Sequence, residues 1–231
     1  YDHMERLESS VKMQKKKMLA DPETLKRDII NLTKSDKKKE LNLKIVFNYK
    51  PGSYNYIVYF IEPIYPSEAQ YRNGVKGILF YAERKDPASK VIDHKLRSSI
   101  FHKLILEGGY EALLVNERGQ ITEGSRSNIF FLKKDTLVTA PDGLILNGIT
   151  RKHILDICKE NNIPVKLECV MAGSITDYDA VFMTGTSPIV LPFCCIDNKN
   201  FKVGIPLIEK LRKLYIIKAE ESIARFRSVN L

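Results

Sequence analysis

The chain contains no run of eighteen or more apolar residues, and its first residues, Tyr1, Asp2 and His3, lack a charged-then-apolar layout. A membrane-spanning helix needs about 20 consecutive apolar residues and a secretory leader needs a basic segment before an apolar one, so neither is expected. Cysteine is sparse. Cys158, Cys169, Cys194 and Cys195 show no CxxC spacing, and the two adjacent ones are poorly placed to bridge each other. Free thiols in a reducing cytoplasm are the expectation. The histidines, His3, His94, His102 and His153, form no HxxxH pattern with a helical carboxylate, so no metal site is expected. No internal repeat is present.

What the chain does have is 231 residues, 44% of them hydrophobic, enough to furnish the core of one large domain or two small ones. The formal charge is +9, with lysines concentrated at Lys15–Lys17 and Lys37–Lys39. Few aromatics interleave with them and no reading motif accompanies them, so a solvated basic face is expected rather than a nucleic-acid groove. An anionic cofactor or substrate would also suit this charge.

Residues 9 to 34 read as helical, with Asp21 as N-cap, Pro22 at the first helical position, and Leu25, Ile29 and Leu32 at helical spacing. Leu43, Ile45 and Phe47 then alternate with polar residues. The Pro51-Gly52-Ser53 turn and the Ile57–Phe60 run complete a hairpin. Pro63, Pro66 and Ser67 make the best linker, which predicts a small α+β domain over 1–66 and a larger mixed domain over 67–231. In the larger domain, strands are expected at Val75–Tyr81, Glu111–Val115, from Ile121, at Ile129–Leu132, Leu137–Thr139 and Ala180–Met183. Helices are expected over 93–107, from about Thr150 to Asn161, and from Pro206 to near the end. Thr184 to Pro188 reads as a loop.

The most informative stretches are Thr122-Glu123-Gly124-Ser125-Arg126-Ser127-Asn128-Ile129-Phe130 and Leu146-Asn147-Gly148-Ile149-Thr150-Arg151. The first resembles the TEGSxSNxF signature of the class IV aminotransferases, and the second resembles that family's G-I/V-T-R phosphate-binding turn. Tyr110-Glu111-Ala112-Leu113-Leu114 resembles the strand before the signature, and Lys90 stands where the family's Schiff-base lysine should, twenty residues before Tyr110 (110 minus 90). Thr184-Gly185-Thr186-Ser187 resembles the second phosphate loop. His3-Met4-Glu5-Arg6-Leu7 resembles the HxxRL element whose arginine binds the cofactor phosphate. Five motifs in order and the placement of Lys90, from residue 3 to the last helix, carry the resemblance.

The resemblance implies a two-domain α/β (α+β) enzyme of fold type IV that binds pyridoxal 5′-phosphate and exchanges an amino group between an amino acid and a 2-oxo acid, working as a cytoplasmic homodimer. Each residue has a physical reason for its part. The Lys90 amine can condense with an aldehyde and then move a proton from the substrate α-carbon. Lys95 is its competitor, but lies inside the helix and too close to Tyr110. A Glu123 carboxylate facing the pyridine nitrogen would keep it protonated, while an ordinary turn glutamate there would pair with Arg118 or Arg126. The backbone N–H groups of Ile149 and Thr150, the Thr150 hydroxyl and the dipole of the following helix would converge on a phosphate. Thr186, Ser187 and the Arg6 guanidinium would add donors, and Ser125 and Ser127 would orient the surroundings, Ser125 alternatively only satisfying backbone groups.

The chain also departs from the family. Members usually begin with roughly forty further residues that supply the first strands of the small domain, so a missing N-terminal segment is expected before Tyr1. The residues after Lys90, Val91-Ile92-Asp93-His94, lack the asparagine-tyrosine pattern associated with branched-chain enzymes. The aminodeoxychorismate lyases share the fold and the lysine. Glu123-Gly124-Ser125 favours transamination over lyase chemistry, with a basic interaction module or a cofactor-binding member without turnover as further alternatives.

Overall fold

The structure is a computed structural model that describes residues 2–35 and 41–230; the Lys37–Lys39 run lies outside the described residues. Two units divide the chain, Tyr1–Tyr65 and Pro66–Leu231. The first holds α1 (Asp2–Met13), α2 (Pro22–Ser35), β1 (Asn42–Lys50) and β2 (Ser53–Ile61).

The single helix expected over 9–34 is in fact two. Lys15 takes a left-handed φ of 53°, its N–H bonding the Lys12 carbonyl while the Lys16 N–H reaches back to Val11. This closure satisfies the last carbonyls of α1 and stops it. The Asp21 carboxylate accepts from the Thr24 N–H at 2.9 Å and starts α2 afresh. The strands β1 and β2 pair antiparallel from Asn42↔Ile61 to Lys50↔Ser53. Pro51 and Gly52 make the two-residue turn, where Gly52 supplies a φ of 79° that other residues resist. The Tyr56 hydroxyl donates to Asp28 at 2.6 Å, tying the hairpin to α2.

In the second unit a short helix, α3 (Glu68–Asn73), is closed by a Ser67/Gln70 capping box. It is followed by β3 (Val75–Tyr81), α4 (His94–Glu107), β4 (Glu111–Val115), β5 (Gln120–Gly124), β6 (Asn128–Lys133), β7 (Thr136–Thr139) and α5 (Ile149–Glu160). Then come β8 (Val165–Leu167), β9 (Val170–Met171), β10 (Ala180–Gly185), β11 (Ile189–Ile196), β12 (Lys199–Asn200) and α6 (Pro206–Asn230). All ten strands join one mixed sheet in the order β8-β7-β6-β10-β11-β3-β4-β5-β9, with β12 beside β11. The β3–α4–β4 passage is a parallel crossover.

Side chains alternate across the sheet into two large cores and a smaller one of Ile78, Ile100, Ala112 and Leu114. Phe131, Met183, Leu191 and Phe193 fill one. Phe130 and Phe182 fill the other, stacked at 5.1 Å, against Ile154 and Cys158 of α5 and Leu211 of α6. The sequence did not reveal β11, which reads Ile-Val-Leu-Pro-Phe-Cys-Cys-Ile. A continuous apolar run has no alternation to recognise, Pro192 argues against a strand, and a bulge at Cys194 breaks the register. Among the described residues no helix is long and apolar enough to cross a membrane.

Candidate functional site

The signature turn between β5 and β6 is built around a buried carboxylate. Glu111, on β4, is 1% exposed. Its Oε1 accepts from the Ala112 N–H at 2.9 Å, the Ser125 N–H at 3.1 Å and the Ser125 hydroxyl at 2.6 Å, while Oε2 accepts from the Ser127 hydroxyl at 2.9 Å. A buried charge is tolerable when so fully hydrogen-bonded. The turn also leaves no room at Gly124, where an added Cβ would collide with Ser127 Oγ. Sequence reasoning named Glu111 only as part of a strand. A charged residue opening an otherwise apolar strand was the available signal.

At the end of β5, Glu123 is 4% exposed. Its Oε1 accepts from Arg84 Nη1 at 2.9 Å and its Oε2 from the Leu146 N–H at 3.0 Å. Burial pushes the carboxyl above its ordinary range, opposed by the Arg84 charge and the Leu146 N–H. Neither Arg118 nor Arg126, the partners considered from sequence, is the one found. Arg126 instead donates to the Tyr110 carbonyl at 2.8 Å and lies over the Tyr110 ring. Arg84, on the loop after β3, went unnoticed because a partner 39 residues away leaves no local pattern.

That same loop carries Lys90, which is exposed, three residues before the α4 N-cap Asp93. The Ser89 N–H bonds the Asp86 carbonyl and the Val91 N–H bonds the Ser89 carbonyl, so the backbone on either side of Lys90 is held. Lys95 lies on α4.

The start of α5 has the geometry of an anion site. Its N-cap, Gly148, provides no side-chain cap, so the N–H groups of the first turn have no side chain on them there. A Cβ at Gly148 would collide with Asn128 Oδ1. Asn128, on β6, donates to the Leu146 carbonyl at 2.8 Å and so fixes the approach to the helix. Ile149 and Thr150 form the first turn, and the Thr150 hydroxyl is 3.4 Å from the Tyr215 hydroxyl. Arg151 is buried and structural, bonding Asp142 at 2.7 Å and the Ala140 carbonyl at 2.8 Å. Thr184, near the end of β10, is 1% exposed, and its hydroxyl oxygen has no hydrogen-bond partner. The next turn carries the exposed Thr186 and the half-buried Ser187, and closes through Ile189 at a φ of 54°. Arg6 lies on α1 in the first unit, with Nη2 3.5 Å from His3 Nδ1. Among the described residues no cluster of three or more potential metal ligands occurs.

Comparison with known proteins matches residues 1–196 to the family model for amino-transferase class IV. The D-alanine aminotransferase of Bacillus licheniformis is 30% identical over 164 residues, which is 68% of this chain and 56% of that protein. The chain spans about half the length of the curated relatives it matches. A T.th. branched-chain amino acid aminotransferase, solved with pyridoxamine 5′-phosphate, superposes with a TM-score of 0.80 at 25% identity, covering 93% of this chain and 77% of that one. A structure from Legionella pneumophila assigned as a 4-amino-4-deoxychorismate lyase has a TM-score of 0.81 at 21% identity, covering 93% and 83%, and shows the shared fold.

Proposed function

Because the chain belongs to the class IV aminotransferase family, we propose that it transfers an amino group between an amino acid and a 2-oxo acid, using pyridoxal 5′-phosphate held on Lys90. The observation that carries this reading is Glu123: a buried carboxylate, aimed by Arg84 and the Leu146 N–H, that retains lone pairs for a further donor. The domain over 67–231 is the proposed cofactor-binding part.

The residues present fit the cofactor. The α5 N-terminus without a side-chain cap and the unpartnered Thr184 hydroxyl leave donors where a phosphate would sit. In this reading the N–H groups of Ile149 and Thr150 and the Thr150 hydroxyl bind the phosphate, joined by Thr186 and Ser187 from the neighbouring turn. Ser125 shapes the surroundings through Glu111. Arg6 enters the proposal on its sequence motif alone.

When bound, the cofactor's ring withdraws electrons from the substrate α-carbon and so makes its proton acidic. Glu123 holds a proton on the ring nitrogen. Lys90 would hold the cofactor covalently through its amine, and that amine, once freed, would serve as the base that moves the substrate α-proton. Release of the first 2-oxo acid before the second binds gives ping-pong kinetics. A homodimer in the cytoplasm completes the proposal, with small-molecule substrates and neither nucleic acid nor membrane as partner.

The test is borohydride reduction of the purified chain with pyridoxal phosphate, followed by peptide mapping and by product analysis with amino acids and with aminodeoxychorismate. A visible band trapped on Lys90 with 2-oxo acid release is expected. Label scattered over surface lysines would remove the cofactor assignment, and pyruvate from aminodeoxychorismate would move the chemistry to the lyase.

A further inference from the structure

The Arg84 guanidinium meets three acceptors at once. Nη1 donates to the Pro87 carbonyl at 3.0 Å and to Glu123 Oε1 at 2.9 Å, and Nη2 donates to the Ser89 carbonyl at 2.6 Å. Two of those acceptors lie on the loop that ends in Lys90, and the third is the carboxylate on β5. Both side chains of the ion pair are largely shielded from water, at 18% and 5% exposure, so the pair is weakly screened. A planar guanidinium presents its donors in a fixed fork, which sets distance and direction together.

We propose that Arg84 is a positioning residue, a bridge that fixes the Lys90 loop and the Glu123 carboxylate in one register. The proposal rests on the pyridoxal-phosphate reading for its purpose, since covalent attachment at Lys90 and a proton at the ring nitrogen must be served at opposite sides of one rigid ring. It assigns Arg84 two separable tasks. Its charge favours ionised Glu123 against burial, and its fork holds the Asp86–Lys90 backbone.

The two tasks predict different behaviour for two variants of the full chain, measured without cofactor. In Arg84→Gln, carboxyl NMR should show Glu123 titrating at higher pH than in wild type, and the Ser89 and Val91 amides should exchange at least about tenfold faster. In Arg84→Lys, the Glu123 titration should return toward wild type while the two amides stay fast, because an ammonium restores the charge and not the fork. With cofactor added, trapping on Lys90 should be slower in both. If Arg84→Gln does not fold, Arg84→Lys decides alone: amides protected as in wild type would overturn the bridge. An unchanged Glu123 titration and unchanged amide exchange in a folded Arg84→Gln would overturn it equally. Wild-type protein that never traps cofactor on Lys90 would remove the functional reading instead, a failure these cofactor-free measurements distinguish.

Discussion

Glu123 is a side chain whose burial works against its charge. Its folded carboxyl binds a proton more tightly than the unfolded one, chiefly because burial penalises the charge, with Arg84 and the Leu146 N–H offsetting part of that. The stabilisation it gives is fully present below its unfolded value, near 4.5, and is lost as pH rises through the higher folded value. Glu123→Gln, which cannot ionise, removes this dependence. The stability of wild type relative to Glu123→Gln is therefore expected to fall as pH rises through that window, as read by urea denaturation at a series of pH values. A difference that grows with pH would mean that the ion pair outweighs burial. The same variant should lose at least about a hundredfold in transamination, the scale of removing one preorganised electrostatic partner. Glu123 itself was legible from the sequence because Thr122-Glu123-Gly124-Ser125 is a local string. Arg84 and Glu111 were not, since each meets its partners only after β3, β4 and β5 pair.

Between residues and the whole, the informative junction is that of β6 with α5. Asn128 opens β6 and packs against the Gly148 backbone so closely that a methyl group has no space. Gly148→Ala should cost about 1–3 kcal/mol, the usual range for overpacking a tight site. It should also weaken phosphate binding, because Asn128 could no longer hold the Leu146 carbonyl and the helix start together. Gly143→Ala is the control, since nothing lies within 4 Å of its added methyl, and it should stay within about 0.5 kcal/mol of wild type. Equal stability of the two variants in urea titrations would contradict the close approach. Elements bounded by turn residues were readable in advance: β6 and β7 across Lys133-Lys134-Asp135, and β1 and β2 across Pro51-Gly52. The break between α1 and α2 was hidden, because a left-handed lysine carries no compositional mark. The helix expected from about Thr150 begins one residue earlier, at Ile149, with Gly148 as its N-cap, which leaves the Thr150 hydroxyl clear of capping.

At the scale of the molecule, the net charge of +9 and an α5 N-terminus without a side-chain cap favour an anionic ligand over a neutral one. A ligand that binds only the folded chain stabilises it by about 2.7 kcal/mol at a hundred times its Kd. For a chain of this length that corresponds to a rise in Tm of roughly 5–10 °C. Pyridoxal 5′-phosphate should produce a shift of that order in a thermal melt. Pyridoxal, which offers the same aldehyde to Lys90 without the phosphate, should produce much less at equal concentration. The comparison separates the two halves of the proposed site. Equal shifts would place the affinity in lysine condensation alone and remove the role given to Ile149, Thr150, Thr186 and Ser187. A shift with free phosphate and none beyond it with pyridoxal phosphate would locate an anion site that does not communicate with Lys90.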